Sequence, residues 1–416
     1  MRSRTGRDVD VATLQAIYAL GTPTRNEIAR LTNQSAVSVT KSLARLIPQG
    51  LAERCGKRGS KAGRPTALYG LGRAAGYSVG ISIDVAGFRL TAIDVRHELL
   101  LERGGVLSLS ADPSLHAEEI VSKVTAELRS FVAATELADR RLVAVGIAPP
   151  GIVDTQKGIW LHGLRITGVL HVALGEAFRR LFGVSVLVED AARCLAYSEA
   201  ARRPRDDARN LVYFYLGSGV GAGIIIDGKP FHGCRGMAGE VGHLIVEEAG
   251  IRCSCGNVGC LETVISSSAV LNRFRERLSQ GVISSLQRFR DDGRLSLQVI
   301  KDAADEGDKL ARSTLFELGR FLGDAVSKVI KLFNPRELII GGPVALLGEH
   351  IRESLWIELR QKVMPEMLVD LSLEMSPTKV GDETLGAAML AERHFWKHTG
   401  GADMPSLFDQ RRPRDA

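Results

Sequence analysis

Three cysteines and one histidine crowd into a short stretch, and they constrain the local fold more than any other feature of the chain. The histidine precedes the first cysteine by ten positions, and the other cysteines follow at intervals of two and five. One imidazole and three thiolates are a ligand set of tetrahedral structural zinc, and the glycines among them supply the turns of a small knuckle. The spacing therefore predicts a structural Zn²⁺ ion, with three buried or redox-active thiols as the alternative. The predicted ligands are His243, Cys253, Cys255 and Cys260.

Two glutamates bracket this cluster. Glu240 lies three positions before the histidine, and Glu262 lies two positions after the last cysteine. Carboxylates fixed beside a rigid metal loop are good hydrogen-bond acceptors for the hydroxyl groups of a sugar. Exposed glutamates on a loop are also commonly just solvated, so both interpretations stay open.

The first 72 residues carry an excess of positive charge that the rest of the chain lacks. They contain twelve Lys and Arg against four Asp and Glu, a local charge of +8, whereas the whole chain carries +6. Such asymmetry is typical of a segment that meets a polyanion, and nucleic acid is the leading candidate.

Apolar periodicity predicts three helices in this basic segment. The first ends near Gly21, and the second begins after Thr24, with Glu27 placed for a capping box. The third begins after Ser35 and runs to about Ile47, so the spacing is that of a helix-turn-helix. Its outward face is predicted to meet a major groove. The predicted contacts on that face are Val37, Ser38, Lys41 and Arg45.

Two short strands are expected next, at 51–55 and 66–70, joined by a loop rich in glycine, lysine and arginine. Such a loop is typical of a wing whose backbone lies against phosphates, and we expect Lys57 and Arg58 to contact DNA there. Arg64, held by the proline that follows it, is predicted to enter a minor groove. The alternatives are a solvated basic hairpin and a winged module that mediates protein contacts.

The long C-terminal part contains two similar stretches, at 77–94 and 211–227, each with a strand, a glycine turn and a second strand. Two related hairpins indicate an internally duplicated α/β fold, and strands and helices follow each of them, such as a strand at 142–148 and a helix at about 309–333. A cleft between two such lobes is the default ligand site. The glycine-rich run at 217–223 has neither Walker nor Rossmann spacing, so it is either a phosphate-cradling loop or a plain tight hairpin.

Composition excludes several classes of protein. The 416 residues are 45% hydrophobic and 25% charged, which is ordinary for a globular protein. Apolar runs never reach the 18 or so residues of a membrane span, and the basic N-terminus has no apolar core behind it of the kind a secretory signal requires. We therefore expect a cytoplasmic protein with no membrane partner.

The residues quoted above resemble the ROK family, which contains repressors and sugar kinases of the actin/hexokinase-like fold. The most specific segments are Glu240-Val-Gly-His243, the cysteine cluster with the Leu-Glu that follows it, and Gly146-Ile-Ala-Pro-Pro-Gly151-Ile-Val-Asp154. The wing end Gly63-Arg64-Pro65 is similar to that of the repressor branch. The resemblance covers nearly the whole chain. It implies a winged helix-turn-helix joined to a duplicated, ribonuclease H-like, two-lobed α/β domain.

The implied domain division has three parts. Residues 1–72 form a winged helix-turn-helix DNA-binding domain, and residues 73–399 form the two-lobed sugar-kinase-like sensor domain with the zinc knuckle at 243–260. Residues 400–416 form a mobile tail.

The family holds its sugar with an Asn-Asp pair, a Glu-x-x-His segment and the glutamate after the cysteine cluster. Here Glu189 stands where the family has asparagine, and a carboxylate cannot donate a hydrogen bond as an amide does. Gly163 stands where a further asparagine is expected. Both departures imply that the sugar, or the hydroxyl contacted, differs from that of typical glucose binders. The implied sugar-binding residues are Glu189, Asp190, Glu240, His243 and Glu262.

A kinase of this fold also needs a first phosphate loop of the form Asp-x-Gly-Gly-Thr, a second glycine-rich loop, a Gly-Gly pair and an aspartate base. The chain keeps the last three, with Asp190 as the possible base. Its first loop contains Ala86 and Phe88, which place a Cβ and an apolar ring where phosphate should approach. We therefore expect ATP binding to be lost and the domain to sense its sugar without phosphorylating it.

The expected function is that of a repressor of carbohydrate metabolism genes. We expect it to bind double-stranded operator DNA as a homodimer or homotetramer and to respond to a small carbohydrate effector. Sugar must favour one conformation to have any effect, and closure of the lobes is expected to re-orient the DNA-binding domains. Two alternatives stay open: a zinc-containing, ATP-dependent sugar kinase, and a scaffold that uses both domains for protein contacts.

Overall fold

The computed structural model describes residues 6–60, 63–85, 87–163, 166–203, 209–290, 293–377 and 381–398, except for the side chains of residues 60, 63 and 64. The expected tail at 400–416 lies outside these residues. Contacts divide the chain into two compact units. The first comprises the residues up to Glu189 and those from Ala387 onward, and the second comprises residues 190–386.

Three helices and a two-stranded hairpin begin the first unit, as apolar periodicity predicts. The second helix has the predicted capping box, in which Thr24 Oγ1 accepts from the N–H of Glu27 at 3.3 Å and Glu27 Oε2 accepts from the N–H of Thr24 at 2.7 Å. It ends at Asn33, which has a left-handed backbone with φ of 51°, and Ser35 caps the third helix. These elements are α1 (Gly6–Leu20), α2 (Arg25–Thr32), α3 (Ala36–Leu46), β1 (Ala52–Ser60) and β2 (Gly63–Leu71).

The hairpin strands are longer than the sequence analysis predicts. The prediction of a loop from residue 56 to residue 65 is wrong for most of that range, because β1 and β2 stay paired as far as Ser60 and Gly63. Bulges at Cys55 and Gly59 interrupt the register, and they let this glycine-containing segment remain in the ladder.

The N-terminal helices share a hydrophobic core with a helix from the other end of the chain. Leu14 of α1 is fully buried in a cluster that includes residues of α13 (Asp382–His398). Trp396 of α13 stacks on Tyr18 with 5.8 Å between ring centroids. The carbonyl oxygen of Trp396 accepts a hydrogen bond from Gln15 Nε2 at 2.9 Å. The N-terminal part is therefore packed onto the rest of the first unit.

A five-stranded sheet and a small three-stranded sheet complete the first unit, together with α4 (His116–Val132) and α5 (Leu174–Phe182). The strands are β3 (Tyr77–Asp84), β4 (Gly87–Asp94), β5 (Leu99–Val106), β6 (Leu142–Ala148), β7 (Ile152–Asp154), β8 (Ile159–His162), β9 (Leu170–Val172) and β10 (Ser185–Val188). The larger sheet has the order β10-β6-β3-β4-β5 and the smaller β7-β8-β9.

The second unit contains one five-stranded sheet and helices that bury its core. The strands are β11 (Leu211–Leu216), β12 (Val220–Ile226), β13 (Lys229–Pro230), β14 (Glu337–Gly341) and β15 (Ser372–Ser376). The helices are α6 (Ala191–Ala201), α7 (Leu261–Ile265), α8 (Ser267–Ser279), α9 (Leu297–Asp305), α10 (Lys309–Phe333), α11 (Glu349–Lys362) and α12 (Pro365–Leu368).

The two large sheets have the same topology, which confirms the predicted duplication. The second has the order β13-β12-β11-β14-β15. In each sheet a central strand pairs antiparallel with the strand that follows it, and a later strand then joins its other side in parallel. Duplicated topology of this kind accounts for the two similar hairpins in the sequence.

Among the described residues, no helix is both long enough and apolar enough to cross a membrane.

Candidate effector site, metal site and nucleic-acid interface

Backbone turns bring the predicted metal ligands together in the second unit. Cys253 N–H donates to the carbonyl of Asn257 at 2.8 Å, which closes a tight turn around Cys255. Gly259 has a φ of 73°, and a Cβ there would lie 1.6 Å from the carbonyl oxygen of Glu247, so only glycine fits. The ligand atoms of His243, Cys253, Cys255 and Cys260 all lie within 4.8 Å of one another.

The separations within this cluster suit a tetrahedral metal ion. Bonds to zinc of about 2.3 Å from sulfur and about 2.0–2.1 Å from nitrogen give tetrahedral edges of about 3.8 Å and about 3.6 Å. The Sγ atoms of Cys255 and Cys260 are 3.6 Å apart, and Cys253 Sγ is 3.6 Å from Nδ1 of His243. Burial raises the pKa of Cys260 to about 12, so its thiolate needs a cation beside it. The donor set fits a cation of this size.

His243 presents its two ring nitrogens to different neighbours. Nδ1 faces the cysteine cluster, whereas Nε2 lies 3.9 Å from Oε2 of Glu240. A metal bound at Nδ1 fixes the proton on Nε2, because a neutral imidazole carries only one. The predicted metal ligand is thus also placed to donate a hydrogen bond toward the predicted sugar-binding glutamate.

The structure brings four of the five predicted sugar-binding residues together in the second unit. The side chain of Glu240 is 43% exposed, and its partial burial raises its pKa, as do the nearby negative charges of Asp190 and Glu262. Asp190 caps α6, with Oδ1 accepting from the N–H of Arg193 at 3.1 Å. Glu262 Oε2 accepts from the N–H of Val220 at 3.0 Å. Three carboxylate acceptors and one imidazole donor therefore lie in the same region of the second unit.

Glu189 is the fifth predicted residue, and it lies in the first unit. Its side chain is buried, and Oε1 accepts a hydrogen bond from Thr155 Oγ1 at 3.2 Å. Gly163, the other departure from the family pattern, is buried in the same unit.

The first hairpin turn lacks the chemistry of a phosphate loop. The carboxylate of Asp84 accepts from the N–H of Val85 at 2.7 Å. Phe88 is buried in the core of the first unit, and a Cβ on Gly105 would lie 2.3 Å from its ring. Ala86 lies outside the described residues. The ring is therefore a core side chain, and the position offers no hydroxyl.

Most residues predicted to meet DNA on α3 are exposed. Val37 is 65% exposed, and Lys41 is also exposed, whereas Ser38 is half-buried. Arg45 is exposed but pairs with α1, since its Nε and Nη2 donate to Asp10 at 3.0 and 2.6 Å. Val39, Leu43 and Leu46 face inward as predicted, and Ala36 is half-buried.

The hairpin carries two more predicted cations, and one of them contacts α2. Lys57 is exposed, and Arg58 Nη1 donates to Glu27 Oε1 at 2.7 Å. The N–H of Thr24 and then Arg58 lower the pKa of Glu27 to about 2, so this ion pair persists across the physiological pH range. The side chain of Arg64 lies outside the described residues.

Three polar residues of interest are missing from the sequence-based prediction. Arg25 Nη1 donates to Thr40 Oγ1 at 3.3 Å, and both side chains are exposed. Thr40 lies three positions after Val37 on α3, so helical spacing could have identified it. Arg193 is buried near Glu240, and no spacing in the sequence could have identified it.

Comparison with known proteins agrees with these observations. The model of the ROK family matches residues 80–394. The chain is 30% identical over 333 residues to the DNA-binding transcriptional dual regulator NagC of Escherichia coli K12, covering 79% of this chain and 80% of that protein. It is 27% identical over 362 residues to a xylose repressor of Caldicellulosiruptor bescii, covering 87% and 90%.

Solved structures of ROK family proteins also match the chain. A ROK family transcriptional regulator, a homolog of the E. coli Mlc protein, matches 96% of this chain and 99% of its own, with a TM-score of 0.79 and 25% identity. A ROK family glucokinase from Streptomyces griseus, solved with glucose and AMPPNP, matches 76% of this chain with a TM-score of 0.61. At 24% identity that second likeness concerns the fold alone. The chain belongs to the ROK family.

Proposed function

We propose that this protein is a sugar-responsive DNA-binding repressor of carbohydrate metabolism genes, with a winged helix-turn-helix at its N-terminus. The observation that carries the proposal is the exposed face of α3, which presents Val37, Thr40 and Lys41 in the same unit as a basic hairpin. An α-helix fits the major groove of B-DNA, and lysine and arginine on a wing attract phosphates. Similarity to a xylose repressor and to NagC supports this function.

Each residue that is predicted to contact DNA has a proposed role on the operator. Val37, Ser38 and Lys41 face base edges and phosphates, and the Asp10 pair orients Arg45 at the end of α3. Lys57 and Arg58 contact phosphates, and Glu27 holds Arg58 in place. Arg64 enters the minor groove. We propose that the protein binds double-stranded operator DNA as a homodimer or homotetramer, in keeping with two-fold symmetric operators.

The proposed effector is a small carbohydrate, and it binds the cluster of Asp190, Glu240, His243 and Glu262 with Glu189 as a further contact. Sugars carry many hydroxyl donors, and carboxylates accept from them more strongly than neutral groups do. The proposed metal is structural zinc on His243 and the three cysteines. Bound zinc would hold the knuckle rigid and keep the proton of His243 on Nε2, where it can donate to a sugar oxygen.

The sensor function is proposed without phosphoryl transfer. Phosphoryl transfer requires polar groups that position the phosphates, and the turn after Asp84 supplies a buried phenylalanine at that point. Asp190 instead caps a helix and accepts from the ligand. The second candidate is a zinc-containing, ATP-dependent sugar kinase, which the glycine-rich run at 217–221, the Gly341-Gly342 pair and Asp190 as a possible base favour.

DNA binding is tested by selecting duplexes from a random library and measuring affinity by fluorescence anisotropy. We expect a selected operator, and we expect Lys41→Ala to weaken it about tenfold, with a shallower dependence on salt. Lys123→Ala is the control, because Lys123 pairs with Glu127 on α4, away from α3. If no duplex is enriched over the library, the repressor function is wrong.

The effector site is tested by thermal melting against neutral hexoses, pentoses, N-acetylated amino sugars and ATP with Mg²⁺. We expect one class of sugar to raise the melting temperature and to change operator affinity about 5- to 150-fold. Glu240→Gln should lose the sugar response and keep operator binding. A shift with ATP and turnover of the sugar would favour the kinase.

A further inference from the structure

Arg193 is a charged side chain in the interior of the second unit. It lies on α6 three residues after Asp190, and it is 1% exposed. Burying a guanidinium is costly unless its donors find acceptors. No pattern in the sequence predicts that this arginine is buried, so its hydrogen bonds indicate what it does.

The guanidinium donates to the backbone just before Glu240. Nη2 donates to the carbonyl oxygen of Gly236 at 2.7 Å, and Nη1 donates to that of Ala238 at 2.8 Å. A planar fork can reach two carbonyls of one loop at once, whereas a lysine ammonium offers a single point charge on a flexible stem. Arg193 therefore fixes the path of this loop relative to α6.

The end of the same loop is held from a second side. The carbonyl oxygen of Gly239 accepts from the N–H of Ala222 on β12 at 2.8 Å. Gly239 has a φ of 103°, and a Cβ there would lie 2.0 Å from the carbonyl oxygen of Ala222. With both anchors in place, the backbone at Glu240 has little freedom, while the carboxylate itself stays accessible at 43% exposure.

We propose that Arg193 is a positioning residue for Glu240 in the effector site, an inference that rests on the sugar site proposed above. The guanidinium holds the loop at 236–239 so that the carboxylate faces the sugar. Pre-organisation of this kind strengthens binding, because the loop loses little freedom when the ligand arrives. An arginine that only stabilised the fold would not affect the sugar contact of Glu240 in particular.

The test is a double-mutant cycle on the full-length, zinc-loaded protein. Sugar affinity is measured by calorimetry at 10 °C for wild type, Arg193→Lys, Glu240→Gln and the double variant, using the sugar with the largest melting shift. We expect each single change to weaken binding about tenfold or more, and we expect the double variant to be no weaker than Glu240→Gln. Non-additivity is the sign that both residues act through one contact.

The matched control is Arg312→Lys. Arg312 also donates to two backbone carbonyls of the second unit, those of Ala304 and Asp305 at the end of α9, but it lies on α10. It should leave sugar affinity unchanged. If Arg193→Lys lowers the melting temperature but not the affinity, or if the cycle is additive, the positioning role is wrong.

Two further outcomes are distinguishable. If wild type binds no sugar of the panel, the proposed site fails and this inference fails with it. If Arg193→Lys does not fold at 10 °C, the cycle is run with Arg193→Gln, which retains an amide donor, and the same additivity criterion decides.

Discussion

The two hairpins at the centres of the two sheets share one topology and differ in chemistry. In the first unit, Asp84 pairs with Gly87 across a two-residue turn, and the next residue of the return strand is Phe88. In the second unit, Leu216 pairs with Val220 across the turn at 217–219, and the corresponding residue is Gly221. Apolar residues on the strands suffice for the fold, whereas turn residues determine which ligands can approach. The two copies of a duplicated fold can therefore share a topology and carry turns of different chemistry.

The largest expected effect comes from removing the proposed zinc ion, which should destabilise the second hairpin and leave the first intact. Glu262 follows Cys260 closely and bonds the N–H of Val220, so loss of the knuckle removes that support. We expect Cys260→Ser, or chelation, to lower the free energy of unfolding of the second unit by about 4 kcal/mol or more. Urea unfolding followed by hydrogen exchange measures it. Cys234→Ser is the control, since Cys234 is an exposed free thiol, and equal losses for both variants would contradict a metal site.

Phe88→Ala should destabilise the first hairpin. Its ring is 6% exposed, and Phe→Ala in a core typically costs about 3–5 kcal/mol. At the equivalent position of the second hairpin, Gly221→Ala adds a Cβ instead of removing a ring. It should lower the free energy of unfolding by less than about 1 kcal/mol, because the new Cβ would meet Ala192 Cβ at 3.6 Å. Chemical denaturation compares them. Similar costs at both positions would mean that the hairpins are packed alike.

Two buried glutamates extend the comparison to pH. The carboxyl of Glu392 in the first unit is buried, with Nε2 of His97 3.8 Å from Oε2. Burial and then the charge of Asp94 raise its pKa to about 8, although Trp396 acts in the opposite direction as a hydrogen-bond donor. Burial opposes ionisation of Glu358 in the second unit, but Lys362 and Arg320 donate to it and lower its pKa. One glutamate is therefore protonated at neutral pH, and the other is ionised.

The sign of the pH dependence follows. The unfolded state ionises Glu392 near its ordinary pKa of 4.5, so the first unit loses stability as pH rises from about 4.5 to about 8. We expect Glu392→Gln to stabilise the protein more at pH 8.5 than at pH 6, with a difference on the order of 2–3 kcal/mol. Glu358→Gln should destabilise it at both values. Melting curves at the two pH values test this, and a stabilisation that does not depend on pH would refute the assignment.

The smallest expected effect on stability comes from changing the carboxylates beside the two hairpin turns, those of Glu262 and Asp84. Glu262→Gln weakens a charged hydrogen bond to the N–H of Val220 and should cost about 1 kcal/mol. Asp84→Asn changes an exposed carboxylate that bonds the next N–H, and should cost less than about 0.5 kcal/mol. Only the first change should reduce sugar affinity. Calorimetric titration of both variants with sugar tests this prediction. If Asp84→Asn also lowered the sugar affinity, the first turn would belong to the sugar site.

Local features of this fold were predictable from the sequence, and distant pairings were not. Spacing alone predicts the metal cluster, the Thr24 capping box and the long helix α10, because each depends on residues within about 25 positions. Arg193 finds its acceptors 43 and 45 positions later, and helical periodicity contains no trace of them. The sequence predicts a loop at 56–65 because glycine and lysine have low strand propensity, and pairing in the ladder overrides that propensity.

The position of α13 in the chain has a consequence for synthesis. The core of the N-terminal helices includes residues of α13, and Gln15 bonds a carbonyl 381 positions away. Domains usually fold in order as they leave the ribosome. Here the N-terminal helices are made long before α13, so the second unit, which lies between them in sequence, is translated in full before that core can close. A nascent or truncated chain that lacks α13 would leave the N-terminal helices without part of the core that buries them.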